Sequence, residues 1–147
     1  MSDVVHVMGE DHKVCDDYFE QAEAAAGSGD LAKCAERFKV FRGALLRHFR
    51  QEEEVLFAGF EEVTGNTMGP TRMMRQEHEM MRELIERMQM AVDAGSAEDY
   101  LGAADTLMVL MQQHNMKEEG ILYPMCDSVL ADQWGELHMK MQDISGE

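Results

Sequence analysis

The stretch LLRHFRQEEEVLF, residues 45–57, decides how this chain folds. Leu45, Phe49 and Leu56 sit where the inward face of a packed helix would place them, and His48 and Glu52 lie on the same face. Burying an imidazole and a carboxylate costs free energy unless something pairs or binds them. The stretch HNMKEEGILYP, residues 114–124, repeats the arrangement: a histidine, three residues, two glutamates, then apolar residues.

Working outward, breaker clusters divide the chain at AGSGD (26–30), TGNTMGP (64–70), DAGSAED (93–99) and LYP (122–124). Asp30 and Ser96 are placed to cap the helices that follow, with Asp99 three residues after Ser96, and Pro70 suits a first helical turn. Between the breaks run four apolar stripes of helical period. The first is Val5, Met8, His12, Cys15, Phe19 and Ala22, and the second is Cys34, Phe38, Phe41, Leu45, His48, Glu52 and Leu56. The third is Met74, His78, Met81, Ile85, Met88 and Val92, and the fourth is Ala104, Leu107, Met111, His114, Glu118, Ile121 and Met125. A shorter stretch, Val129-Leu130, Trp134, Leu137 and Met141, predicts a fifth helix anchored by Trp134. No long stretch alternates with period two, and no tandem repeat is apparent. The expected fold is all-α: an up-down-up-down antiparallel four-helix bundle with a short C-terminal fifth helix, in a single domain over residues 1–147.

The chain's 147 residues, 45% of them hydrophobic, suffice for one real core. A net charge of −16 argues against nucleic acid and anionic membrane as partners. No apolar run is long enough to span a bilayer, and the first residues lack the pattern of a secretory signal. Three widely spaced cysteines, Cys15, Cys34 and Cys126, suggest neither a disulfide framework nor a zinc knuckle and fit a reducing cytoplasm.

Each long stripe carries one histidine, and these align. Short connections make neighbouring helices antiparallel, so residues equidistant from a turn share a height. The midpoint of 12 and 48 is 30, of 48 and 78 is 63, and of 78 and 114 is 96, each on or beside an expected turn. His12, His48, His78 and His114 should therefore form one layer, with Glu52 and Glu118 one turn away, about 6 Å along the axis. Four imidazoles and two carboxylates converging in an apolar core point to metal. Mixed nitrogen and oxygen ligands with bridging carboxylates suit a pair of iron or manganese ions, and two zinc ions remain open.

The motifs DHKVCDDYF, HFRQEEEVLF, RQEHEMMREL and HNMKEEGILYP resemble the hemerythrin-like family, the HHE cation-binding domain, over about residues 5 to 142. The resemblance implies a four-helix bundle with a non-haem, carboxylate-bridged di-iron centre. His12 and His48 would bind one iron, His78 and His114 the other, and Glu52 and Glu118 would bridge them. Glu119 is the competing bridge and otherwise a surface residue, because the oxygen-carrier branch places its last carboxylate five residues after the histidine. The carriers also have a second histidine one turn after that of the third helix, where this chain has Arg82, read as pointing outward.

The function so implied is to bind or sense dioxygen. The alternative is a di-iron enzyme acting on peroxide or nitric oxide, or an iron donor in iron–sulfur repair. The repair role is disfavoured by the lack of a separate cysteine-bearing amino-terminal domain, and a regulatory iron sensor ranks last. Other residues have smaller expected parts. Tyr123 is close enough to the fourth helix to reach the site as a hydrogen-bond donor, and Asp16 is a spare ligand. His6 and His138 are read as surface residues. The methionines at 8, 74, 81, 88 and 111 are read as adaptable core packing that also keeps the site apolar.

Overall fold

A computed structural model of the chain describes residues 3–145. Seven α-helices follow one another: α1 Val4–Gly27, α2 Leu31–Gln51, α3 Phe57–Thr64, α4 Pro70–Ala94, α5 Ala97–Lys117, α6 Tyr123–Val129 and α7 Trp134–Gln142. Two single π-helical turns, Glu52–Leu56 and Glu118–Leu122, join α2 to α3 and α5 to α6 without a break. Four long helical rods and one short C-terminal helix result, with no strand among the described residues. None of the described helices is long and apolar enough to cross a membrane.

Local chemistry sets the ends. The Asp30 carboxylate accepts from the amide of Lys33 at 3.0 Å, and the Ser96 hydroxyl accepts from that of Asp99 at 3.1 Å. Asp3 caps α1 in the same way through the amide of His6. Gly29 and Gly95 adopt the positive φ values, 82° and 70°, with which each hairpin turns into its next helix. Pro70 opens α4, where its missing amide hydrogen costs nothing.

Helix α1 packs on α2, α4 packs on α5, and further contacts join α1 to α5 and α6 and α2 to α4. The core they enclose falls into two apolar clusters. One gathers Phe19, Phe38, Phe41, Ile85, Met88 and Leu107, among others, and the other gathers Val4, Met8, Leu56, Phe57, Met74 and Leu122. The four histidines lie between the two, since Met8 and Cys15 flank His12 along α1 as Met74 and Met81 flank His78 along α4. Helix α7 closes the second cluster. Arg47 and Gln51 of α2 hold its end, donating to the carbonyls of Ile144 at 2.8 Å and Met141 at 2.9 Å.

Three expectations need correction. The stripes of α1 and of the fourth rod are shifted by one residue at their ends: Val4 is buried where Val5 was expected, and Leu122 and Cys126 are buried where Ile121 and Met125 were. In the fourth rod the cause is the π-turn, which adds a residue to one turn and rotates the following face. The same widened turn carries the helix through Pro124, so LYP is no break: the proline falls in the first turn of α6. The chain also contains a repeat that identity does not reveal. His12, Gly29, Asp30, His48, Glu52 and Phe57 correspond to His78, Gly95, Ser96, His114, Glu118 and Tyr123, every pair 66 positions apart. At that one offset α2 and the first π-turn match α5 and the second residue for residue.

Candidate metal centre

The six residues singled out in the sequence, His12, His48, Glu52, His78, His114 and Glu118, come together at the middle of the bundle, all buried. They fall into two groups whose donor atoms lie within 4.8 Å of one another: Glu52, His78, His114 and Glu118, and His12, His48 and Glu118. The rings of His12 and His48 lie 4.7 Å apart and those of His78 and His114 4.9 Å apart, tilted by 50° and 52°.

Every one of the four imidazoles is held from outside by an acid. Nδ1 of His48 lies 2.7 Å from Asp11, and Nδ1 of His114 lies 2.7 Å from Glu77. Nδ1 of His78 lies 2.7 Å from Glu53, and Nδ1 of His12 lies 2.6 Å from Glu119. An ionised carboxylate can only accept, so each Nδ1 carries a hydrogen and donates it. This fixes ring orientation and leaves Nε2 of each histidine pointing inward, as in carboxylate-backed metal sites.

The inward nitrogens meet the two glutamates. Glu52 Oε1 lies 3.1 Å from Nε2 of His78 and 3.4 Å from that of His48. Glu118 reaches Nε2 of His12 with Oε1, at 3.1 Å, and Nε2 of His114 with Oε2, at 3.2 Å. Each glutamate thus joins one histidine of each pair, Glu118 with one oxygen to each and Glu52 with Oε1 alone. The π-turns aim them, for each turn begins at the glutamate itself: the amides of Phe57 and Tyr123 bond the carbonyls of Glu52 and Glu118. Such turns occur often at functional sites.

Without a cation this cluster holds its charge uneasily. Burial would push Glu52 up, yet the positive charge of His48 and the hydrogen bonds around it hold it well below 4.5. Burial would push His48 down, yet Glu52 and Asp11 raise it well above 6.5. His114, similarly opposed by burial, is raised to about 9 through Glu118 and Glu52. Even so, His114 Nε2 and Glu118 Oε2 are buried without a hydrogen bond of sound geometry, although only 3.2 Å separates them. Orphaned donor atoms of these two types, in an acid-backed cluster, fit a metal ion with mixed nitrogen and oxygen ligands.

Tyr123 reaches the site as a donor: its hydroxyl lies 2.7 Å from Glu52 Oε2 and 3.0 Å from Glu118 Oε1. Arg82 does not simply face solvent. It pairs with Glu53 at 2.8 Å, lies over the ring of Phe49, and so braces the acid that holds His78. Glu119 turns away from the centre, with its side chain half exposed, but is not idle, because it holds His12. Asp16 is exposed and lies outside both donor groups. His6 is exposed, and His138 stacks on Trp134 away from the histidine layer. Sequence reasoning missed the outer acids Asp11, Glu53 and Glu77. Their signal was adjacency, since each directly neighbours His12, Glu52 or His78 along the chain.

No curated protein and no solved structure matches the chain at a significant level. A family comparison matches the hemerythrin HHE cation binding domain over residues 3–126, from α1 into α6. The chain belongs to the hemerythrin HHE cation-binding domain family.

Proposed function

We propose that this protein holds a pair of iron ions in its core and uses them to bind or sense dioxygen. His12 and His48 hold one ion and His78 and His114 the other, with Glu52 and Glu118 between them. The observation that carries the reading is the arrangement of the imidazoles. All four donate Nδ1–H to an outer acid and turn Nε2 toward two buried glutamates. A structural zinc site would rather close a tetrahedron, often with cysteine, although manganese and zinc can compete for these donors.

Iron ions bound there would supply the electron-transfer chemistry that dioxygen needs. The chain supplies the rest. Two histidines with carboxylate on each ion leave positions open to a small ligand. Phe49 and Phe57 stack on His78 at 4.0 and 5.7 Å and, with the two apolar clusters, keep bulk water from the histidine layer. The outer acids keep the rings aimed while the ligand comes and goes. We take the four long rods to run up-down-up-down within a single domain, as their short turns favour. Three unpaired buried cysteines support a reducing, cytoplasmic setting.

The second reading, an enzyme acting on peroxide or nitric oxide, rests on Arg82. It stands where the oxygen carriers place another histidine, and its pairing with Glu53 leaves the His78 ion one imidazole poorer. The test is metal content with an optical spectrum on protein purified without chelator or added metal. About two irons per chain, with ferric bands characteristic of a bridged pair, are expected. A stable bundle with no bound metal would overturn the proposal, and peroxide turnover with rapid autoxidation would favour the second reading.

A further inference from the structure

The two donor groups are unequal. Glu52, His78, His114 and Glu118 make four, while His12, His48 and Glu118 make three. The residues 66 positions apart that flank them are unequal in the complementary sense. Phe57 stacks on His78 with an interplanar angle of 21°, and Tyr123 stacks on His12 with one of 27°. Both rings are fully buried, so the equivalent slots hold an aromatic ring with or without a hydroxyl. The hydroxyl occurs only beside the group that is one donor short. Its oxygen lies 3.1 Å from Nε2 of His12, 3.4 Å from Nε2 of His48 and 3.0 Å from Glu118 Oε1, one atom from each member of that group.

A phenol has one hydrogen to give, and Glu52 Oε2 at 2.7 Å is the nearest acceptor. That bond does not explain why the oxygen also sits against two imidazole nitrogens already aimed at a metal. We propose that Tyr123 is a further protein ligand of the ion held by His12, His48 and Glu118, through its phenolate oxygen. The inference rests on the metal pair proposed above. On coordination the O–H bond breaks as the O–metal bond forms, and one proton per chain leaves to solvent. A bound cation favours the anionic form of the group that ligates it. The halves then differ in chemistry: carboxylate and imidazole on one ion, and a phenolate added on the other.

The test is the visible and resonance Raman spectrum of the iron-loaded ferric protein, with iron counted in the same samples. Wild type should show a phenolate-to-iron charge-transfer band and enhanced tyrosine ring modes that shift on ring deuteration. Tyr123→Phe should lose the band and the modes while keeping two irons, because Phe57 shows that the slot accepts phenylalanine. Two irons in wild type without the band would overturn the ligand assignment and leave the metal pair standing. A band that survives in Tyr123→Phe would also overturn it. No iron in wild type would overturn both. Should Tyr123→Phe fail to fold, the Tyr18→Phe/Tyr100→Phe variant decides the matter, since those are the chain's other two tyrosines. A retained band supports Tyr123, and its loss overturns the assignment.

Discussion

The first half of the chain, through α3, and the second, from α4 through α6, repeat one frame of histidines and acids in different surroundings. Asp11 and His12 answer to Glu77 and His78, and His48, Glu52 and Glu53 answer to His114, Glu118 and Glu119. The contacts also correspond. Asp11 holds His48 as Glu77 holds His114, and Glu53 holds His78 as Glu119 holds His12. Around this common frame the halves diverge. Phe57, Phe49 and Arg82 in one place face Tyr123, Asn115 and Asp16 in the other. The histidines and glutamates thus recur at fixed spacing, while the residues around them change in size and charge, as Phe49 to Asn115 and Arg82 to Asp16. What would distinguish two ions held there must therefore come from the few differing residues that touch the donors.

The sharpest way to break the comparison is to delete the equivalent glutamates. Glu118 belongs to both donor groups and Glu52 to one. Glu118→Ala is expected to lose both metals, and Glu52→Ala to retain at most one, with helix content unchanged in each. Elemental analysis after desalting reads this directly. Full metal content in Glu52→Ala would remove it from the set.

The outer acids come next. Asp11→Asn and Glu77→Gln each replace an acceptor of Nδ1–H by an amide on equivalent helices. Each should weaken metal binding by about 10- to 100-fold without unfolding the bundle. Competition against a chromophoric chelator measures it. Similar losses would show that the halves are equivalent in this layer, and a loss confined to one would show which histidine pair limits affinity.

Much of this was legible in the chain. The histidine layer followed from helical period and turn position alone, because both are local properties. The outer acids were not legible as such, since Asp11, Glu53, Glu77 and Glu119 each serve a histidine on a different helix, and only packing shows which. The π-turns escaped for another reason. They change a helix's phase by one residue, which leaves composition untouched and merely exchanges Ile121 and Met125 for Leu122 and Cys126 as inward residues. The repeat escaped because the two halves share spacing but few identities, and those are scattered.

A pH series sharpens the comparison more gently, acting on His48 and His114, which occupy equivalent positions. In the metal-free protein both are raised, His114 to about 9 from an ordinary 6.5. A raised histidine contributes stability that is fully present below about 6.5 and is lost as pH rises through the folded value. The unfolding midpoint of the metal-free protein should therefore fall by several degrees between about pH 6.5 and 9, and metal affinity should rise over that window as protons stop competing. Metal-loaded protein should show a flatter profile. A metal-free midpoint that climbs with pH would contradict the proton-held cluster.

The smallest difference lies between Glu53 and Glu119, the second glutamates of the two motifs. Glu53 is mostly buried, bonds Arg82 as well as His78, and, against the upward push of burial, is held down to about 2. Glu119 is half exposed and has His12 as its histidine partner, so water can take over much of its role. Glu53→Gln should therefore weaken metal binding more than Glu119→Gln, by a few-fold in the same chelator competition, and should leave Arg82 with Glu79 as its charged partner. Adding Arg82→Ala to Glu53→Gln should then cost little more, since the contact is already broken. Equal losses for the two single variants would mean that Arg82 adds nothing to how His78 is held. The place where the oxygen carriers have a histidine would then be, in this chain, only a surface ion pair.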